Sequence, residues 1–178
     1  MPGMAASPKI FEFLNFPKPF KIHLLSWIPP YKNEPLKKYA KRMCKSILHE
    51  KPVLLGVSFG GVLVQEMAKY ISVRNIIIIS SIKNKMELPL PMKMAQKTNL
   101  HKLLPIQWIK SIDNLVLFAF GKGIKRRLEL YQRYLSERDP DYLYWAINSL
   151  VYWDQIETPA NIFHIHGASD TVFPTKNL

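Results

Sequence analysis

Ser58 is the residue of this chain best placed to do covalent chemistry. It stands in Gly56-Val57-Ser58-Phe59-Gly60, directly after the apolar run Val53-Leu54-Leu55. A helical pattern with Val64, Met67, Ala68 and Ile71 on one face follows at once. The order implied is strand, sharp turn, helix, with the serine at the apex beside a helix N-terminus. Gly56 and Gly60 let strand and helix pass close to the turn, where a Cβ would clash. A neutral hydroxyl is a weak nucleophile and needs a base within hydrogen-bond reach. Ser58 could instead be an ordinary helix N-cap, but a plain cap does not call for a glycine on either side.

Five histidines are available as bases: His23, His49, His101, His164 and His166. His23 falls in an early apolar segment, His49 at a helix end and His101 in a helical region. His164 and His166 lie in or at the end of the last strand. Structural roles suit all five better, and the alternative is a histidine of the helical region reaching down over Ser58. Beyond His166, Gly167-Ala168-Ser169-Asp170 forms a turn that puts a carboxylate at the end of the strand.

The elements that must carry these groups can be taken in order. Residues 1–7 are small and turn-forming, and Ser7 with Pro8 predicts a short capped helix to about residue 15. Residues 20–27 form an apolar strand candidate ended by Pro29-Pro30. Asn33 or Glu34 with Pro35 opens a helix whose stripe is Leu36, Tyr39, Ala40, Met43, Ile47 and Leu48, with Lys37, Lys38, Lys41, Arg42 and Lys45 opposite. Residues 52–57 read as a buried strand. Residues 75–81, with Ile76-Ile77-Ile78-Ile79, read as a central parallel strand covered on both faces. Strands alternating with helices predict a doubly wound α/β sheet, here of about four strands. Between 82 and 156 strand signals vanish. Helical patterns run over 100–111 (broken at Pro105), 113–120 and 125–137. A last one, opened by Asp139-Pro140, carries Tyr142, Leu143, Trp145, Ala146, Leu150 and Trp153. Residues 161–166 return to a strand.

Composition sets the frame. A chain of 178 residues, 48% of them hydrophobic and 12% aromatic, suffices for one folded domain with a sizeable core. The single cysteine, Cys44, excludes an internal disulfide and fits a reducing, cytoplasmic setting. No apolar run is long enough to span a membrane. The net charge of +12 raises nucleic acid as a partner. The lysines are scattered over polar helix faces, however, and no nucleic-acid motif accompanies them. A lysine-rich solvated surface is the better reading, with electrostatic attraction of acidic substrates as a milder functional alternative to nucleic-acid binding.

The Gly56–Gly60 elbow, the Pro2-Gly3-Met4 turn upstream, the helical insertion, and His166-Gly167-Ala168-Ser169-Asp170 followed by Phe173-Pro174 together resemble the α/β-hydrolase superfamily. The resemblance spans nearly the whole chain. It implies a mostly parallel, doubly wound sheet of the α/β-hydrolase type. The core would be residues 1–82 and 157–178, with a helical cap at 83–156 over the active site. It implies Ser58 as nucleophile and Asp170 as the acid that orients a histidine and stabilises its charged form. The backbone N–H groups of Met4 and Phe59 would form the oxyanion hole. The family's other acid position, just after the 76–79 strand, reads Ser80-Ser81 here, which favours Asp170. No cofactor and no metal is implied. The expected partner is a small-molecule acyl substrate, an ester or thioester, with no nucleic acid and no membrane span; the oligomeric state is open. Among the cap aromatics, Trp108, Phe118, Phe120, Tyr131, Tyr134, Trp145 and Trp153 would either line an apolar acyl pocket or pack the cap's own core.

The sequence departs from the family pattern at the base. No histidine follows Asp170, and Met1 stands where the strand before the oxyanion loop should already have ended. The expectation is a core cut at both ends, with the histidine beyond residue 178 and little turnover from this chain alone. The same scaffold also hosts acyltransferases, C–C hydrolases and non-catalytic ligand-binding members.

Overall fold

A computed structural model describes residues 1–99, 133–136 and 139–178. Strands β1 (Val53–Val57), β2 (Asn75–Ile79) and β3 (Ile162–Ile165) form one sheet in that spatial order, with both pairings parallel. Val57 lies opposite Ile79, and Ile79 opposite Ile165, so the three strands end level. Ser58, Ser80 and His166 therefore leave the sheet along one edge. Two bonds extend the ladder past that edge: the Ser58 N–H donates to the Ile79 carbonyl at 2.9 Å, and the Ser80 N–H to the Ile165 carbonyl at 2.9 Å.

The sheet has three strands among the described residues rather than about four, because residues 20–27 form none. Their apolar content is that of a strand, but a strand also needs a ladder partner. The edge of β1 away from β2 is taken by Met1, whose amino group donates to the Leu55 carbonyl at 2.6 Å and whose carbonyl accepts the Val57 N–H at 3.1 Å. Phe20, Ile22 and Leu24 consequently stay exposed, and only Trp27 at the end of the segment is buried.

Two helices build the packed side, one lying against the strands and the other against that helix. Helix α1 (Leu36–Met43) begins after Pro35 and buries Leu36, Tyr39, Ala40 and Met43, the stripe read from the sequence. It tightens into a 3₁₀ turn at Cys44–Ser46, and this ends the stripe early: Leu48 is 89% exposed. Helix α2 (Phe59–Met67) is buried along its whole length, packed between α1 and β1, so it has no polar face to read. Burying a large apolar side chain contributes roughly 1.5–3 kcal/mol, and Leu63, Met67, Tyr39 and Met43 are all closed to solvent.

The second face is different. Ile76 and Ile78 are buried, whereas Ile77 and Ile79 are half-buried and Phe163 and Ile165 are each 59% exposed. The isoleucine run is thus not covered on both sides as its composition suggested; burial alternates, as on a sheet with one packed face.

At the N-terminus the expected helix to residue 15 is a single 3₁₀ turn, Pro8–Phe11, and Ser7 makes no capping bond. In the 83–156 region, helix α3 (Leu90–Thr98) went unread in the sequence. Helix α4 (Pro140–Val151) starts where Asp139-Pro140 placed it, with the Asp139 carboxylate accepting the Tyr142 N–H at 2.7 Å. The patterns at 100–111 and 113–120 and most of 125–137 fall outside the described residues, as do Trp108, Phe118, Phe120 and Tyr131. Trp145 and Trp153 are buried and hydrogen-bonded, to the Glu34 carbonyl at 2.7 Å and to Glu66 Oε1 at 2.8 Å. Tyr134 bonds to Glu12 Oε1 at 2.6 Å. These three are packing and anchoring groups. Among the described residues no helix is long and apolar enough to cross a membrane.

Candidate active site

The turn between β1 and α2 holds Ser58 at φ 51° and ψ −122°. A non-glycine residue in such a region costs on the order of 1–3 kcal/mol and persists only where its surroundings hold it. Those surroundings are visible. The Ser58 N–H is fixed on Ile79, and its carbonyl accepts the Gly61 N–H at 2.8 Å and the Ser81 hydroxyl at 2.7 Å. The backbone is pinned on both sides while the side chain makes no capping bond to the helix it precedes. Ser58 thus occupies the N-cap position without capping the helix through its side chain, and among the described residues its hydroxyl has no hydrogen-bond partner.

The two flanking glycines are required by contact. A Cβ on Gly56 would lie 2.3 Å from the Gly60 carbonyl oxygen, so strand and helix could not approach as they do. A Cβ on Gly60 would lie 2.3 Å from the carbonyl oxygen of Pro2 and 2.6 Å from that of Met1. Gly60 thus also lets the N-terminal loop lie on the first turn of α2.

That loop reaches the serine. A Cβ built on Gly3 would stand 3.5 Å from the Ser58 Cβ. The Ala6 N–H donates to the Gly3 carbonyl at 3.1 Å, closing a four-residue turn with Ala5 at φ 63°. The positive φ at the third residue is the mark of a type II turn, in which the fourth residue donates the closing bond and the N–H of the second residue, here Met4, is left out of it. Phe59 opens α2, where first-turn N–H groups lack intrahelical acceptors. Among the described residues neither the Met4 N–H nor the Phe59 N–H has a hydrogen-bond acceptor. Two unused donors therefore flank the serine.

Asp170 sits beyond the end of β3. Its Oδ1 accepts the N–H groups of Val172 at 2.8 Å and Phe173 at 2.9 Å, and its own N–H closes the turn on Gly167 at 3.0 Å. Oδ2 faces His166 Nε2 at 3.6 Å, beyond hydrogen-bond reach. His166 Nε2 instead donates to the Phe173 carbonyl at 2.7 Å, which leaves Nδ1 to accept from His164 Nε2 at 2.9 Å. Burial, then the neighbouring His166 and Lys83, push the His164 pKa below its ordinary value. His23 and His49 pair with each other on the surface, Nε2 to Nε2 at 2.8 Å. His101 lies outside the described residues, and none of the other four histidines bonds to Ser58.

The structure thus brings Ser58, Met4, Phe59, Gly56 and Gly60 together. Asp170 lies at the same end of the sheet with no hydrogen bond linking it to the serine. Two supporting residues had not been singled out from the sequence. Ser81 clasps the Ser58 carbonyl from the end of β2, and a Cβ on Gly61 would meet its hydroxyl at 2.4 Å. Trp27 donates its indole N–H to the Gly3 carbonyl at 2.9 Å and stacks on the Phe59 ring, centroids 5.2 Å apart and planes 11° from parallel. A cleft of about 800 Å³ opens elsewhere, between the 30–37 segment and α4, and none of Ser58, Met4, Phe59 or Asp170 lines it. The chemistry of the elbow, not the size of that cleft, marks the candidate site.

Solved structures share this architecture. A protein from Desulfitobacterium hafniense, assigned to the alpha/beta hydrolase family, superposes with a TM-score of 0.64 at 16% identity, over 98% of this chain and 76% of its own. A lipase-esterase related protein from Clostridium acetobutylicum superposes with a TM-score of 0.57 at 19% identity, over 99% of this chain and 76% of its own. The chain has the α/β-hydrolase fold. No protein-family model and no curated protein sequence matches it.

Proposed function

We propose that this chain carries the nucleophile and oxyanion hole of a serine hydrolase that cleaves a carboxylic ester or thioester through an acyl-enzyme on Ser58. The observation that carries the reading is the strained Ser58, its hydroxyl unbonded, between two N–H donors without acceptors. Ser58 Oγ attacks the substrate carbonyl, and its proton passes to a base. The developing oxyanion takes hydrogen bonds from Met4 and Phe59, each donor of this kind being worth about 2.7–4 kcal/mol of transition-state stabilisation. The alcohol or thiol leaves with the proton, and water then releases the acid by the same route. Asp170, with Oδ1 held by two backbone N–H groups, keeps Oδ2 available to orient a histidine base. None of the described histidines bonds to Ser58, so these 178 residues alone are expected to turn over slowly and to be accelerated by imidazole in solution.

The experiment is covalent labelling with a fluorophosphonate, alongside hydrolysis of a p-nitrophenyl ester with and without imidazole. Label is expected on Ser58 and absent from Ser58→Ala. Equal labelling of the two proteins, or none of wild type even with imidazole, would show the assignment of Ser58 to be wrong.

A further inference from the structure

We infer that Trp27 is a positioning residue that sets the direction of the Met4 N–H, and this rests on the oxyanion-hole reading above. The geometry is one of a shared peptide. The carbonyl of Gly3 and the N–H of Met4 belong to the same planar trans unit, in which C=O and N–H point in opposite directions. Whatever fixes the carbonyl fixes the N–H. The Gly3 carbonyl is fixed twice, by the Ala6 N–H at 3.1 Å and by the Trp27 indole N–H at 2.9 Å. The turn bond holds that carbonyl only while the turn stays closed; a second donor on a buried ring holds it independently of the turn. Donation to the carbonyl also polarises the peptide, strengthening its N–H as a donor.

The indole cannot drift, because its other contacts are rigid. Trp27 is buried and lies flat on Phe59, whose backbone N–H is the second proposed oxyanion donor. Tyr142 of α4 leans on the same ring at 5.5 Å, and its hydroxyl accepts the Ala5 N–H at 3.4 Å. One side chain therefore touches both arms of the hole: the first through a hydrogen bond to the peptide that carries it, the second through the side chain of the residue that carries it. Trp27 touches no reacting atom and acts through Gly3 and Phe59. Residues 20–27, which add no strand to the sheet, thus end in the residue that holds the oxyanion loop.

The test separates this inference from the proposed activity. In isotope-labelled wild-type protein a nuclear Overhauser contact between the Met4 amide proton and the Ser58 Hβ protons is expected. In Trp27→Phe, which keeps an aromatic ring on Phe59 but removes the donor, that contact should be lost while the Phe59 contacts remain. Should Trp27→Phe fail to fold, incorporation of benzothienylalanine at position 27 removes the N–H with the ring shape intact. Absence of the contact in wild type, or its persistence in the donor-less protein, overturns the inference. Fluorophosphonate labelling of the same proteins is expected to slow about tenfold or more without the indole donor. Wild type that never labels counts against the hydrolase reading, while the amide contact still decides the role of Trp27.

Discussion

Gly60 meets two backbones at once: the strand that precedes the elbow and the loop that brings Met4 to it. Its would-be Cβ contacts are carbonyl oxygens of Pro2 and Met1, which cannot swing aside as a side-chain tip could. Gly60→Ala is therefore expected to destabilise by about 1–3 kcal/mol and to slow labelling of Ser58, read by urea unfolding and fluorophosphonate kinetics. Gly3→Ala is the control, because its Cβ would find only ordinary contact at 3.5 Å; stability should hardly change. These residues could be read from the sequence because a serine between paired glycines after an apolar run is a local pattern. Trp27 and Ser81 could not. Each acts on a main-chain carbonyl, of Gly3 and of Ser58, that only the folded chain brings near, and such an acceptor leaves no mark on the sequence.

Strands β1, β2 and β3 were legible because β-branched and leucine-rich runs between turn residues say strand with little ambiguity. What composition does not say is who the neighbours are. Residues 20–27 have the same apolar content and no ladder partner, and the isoleucines of β2 have one packed face rather than two. Helix α4 was legible from its capping pair, Asp139-Pro140; α3 has prolines at its start but no side-chain cap and no buried residue, so it shows no apolar stripe to follow. Strand β3 also carries a titration. His164 is held neutral mainly by burial, with His166 and Lys83 adding to the effect and Glu87 opposing it. Its folded-state pKa lies below the ordinary 6.5, so the unfolded chain takes up a proton first as pH falls. Stability is expected to drop as pH goes down through about 6.5 toward the folded value. His164→Gln should flatten that part of the profile, measured as urea midpoints between pH 7.5 and 5.5.

At the scale of the whole molecule, the open face of the sheet is one exposed apolar surface among the described residues. Phe163 and Ile165 stand out beside the half-buried Leu55, Val57, Ile77 and Ile79, a contiguous apolar area on a chain whose net charge is +12. Such areas bind hydrophobic dyes. Wild type is expected to raise the fluorescence of anilinonaphthalene sulfonate, and the double change Phe163→Ser with Ile165→Ser to lower it. Each substitution should move stability by no more than about 0.5 kcal/mol, as at other exposed positions. The connection from Ile79 to Ile162, which leaves the sheet after β2 and returns as β3, has a consequence in time rather than in space. Strands β1 and β2 with α2 are near neighbours in sequence, so the serine's turn can assemble early and locally. β3 must close the longest loop in the sheet, and contacts across long loops form late and slowly. Asp170 is therefore expected to reach its place last, after the turn that carries Ser58 has formed and only when the final strand docks.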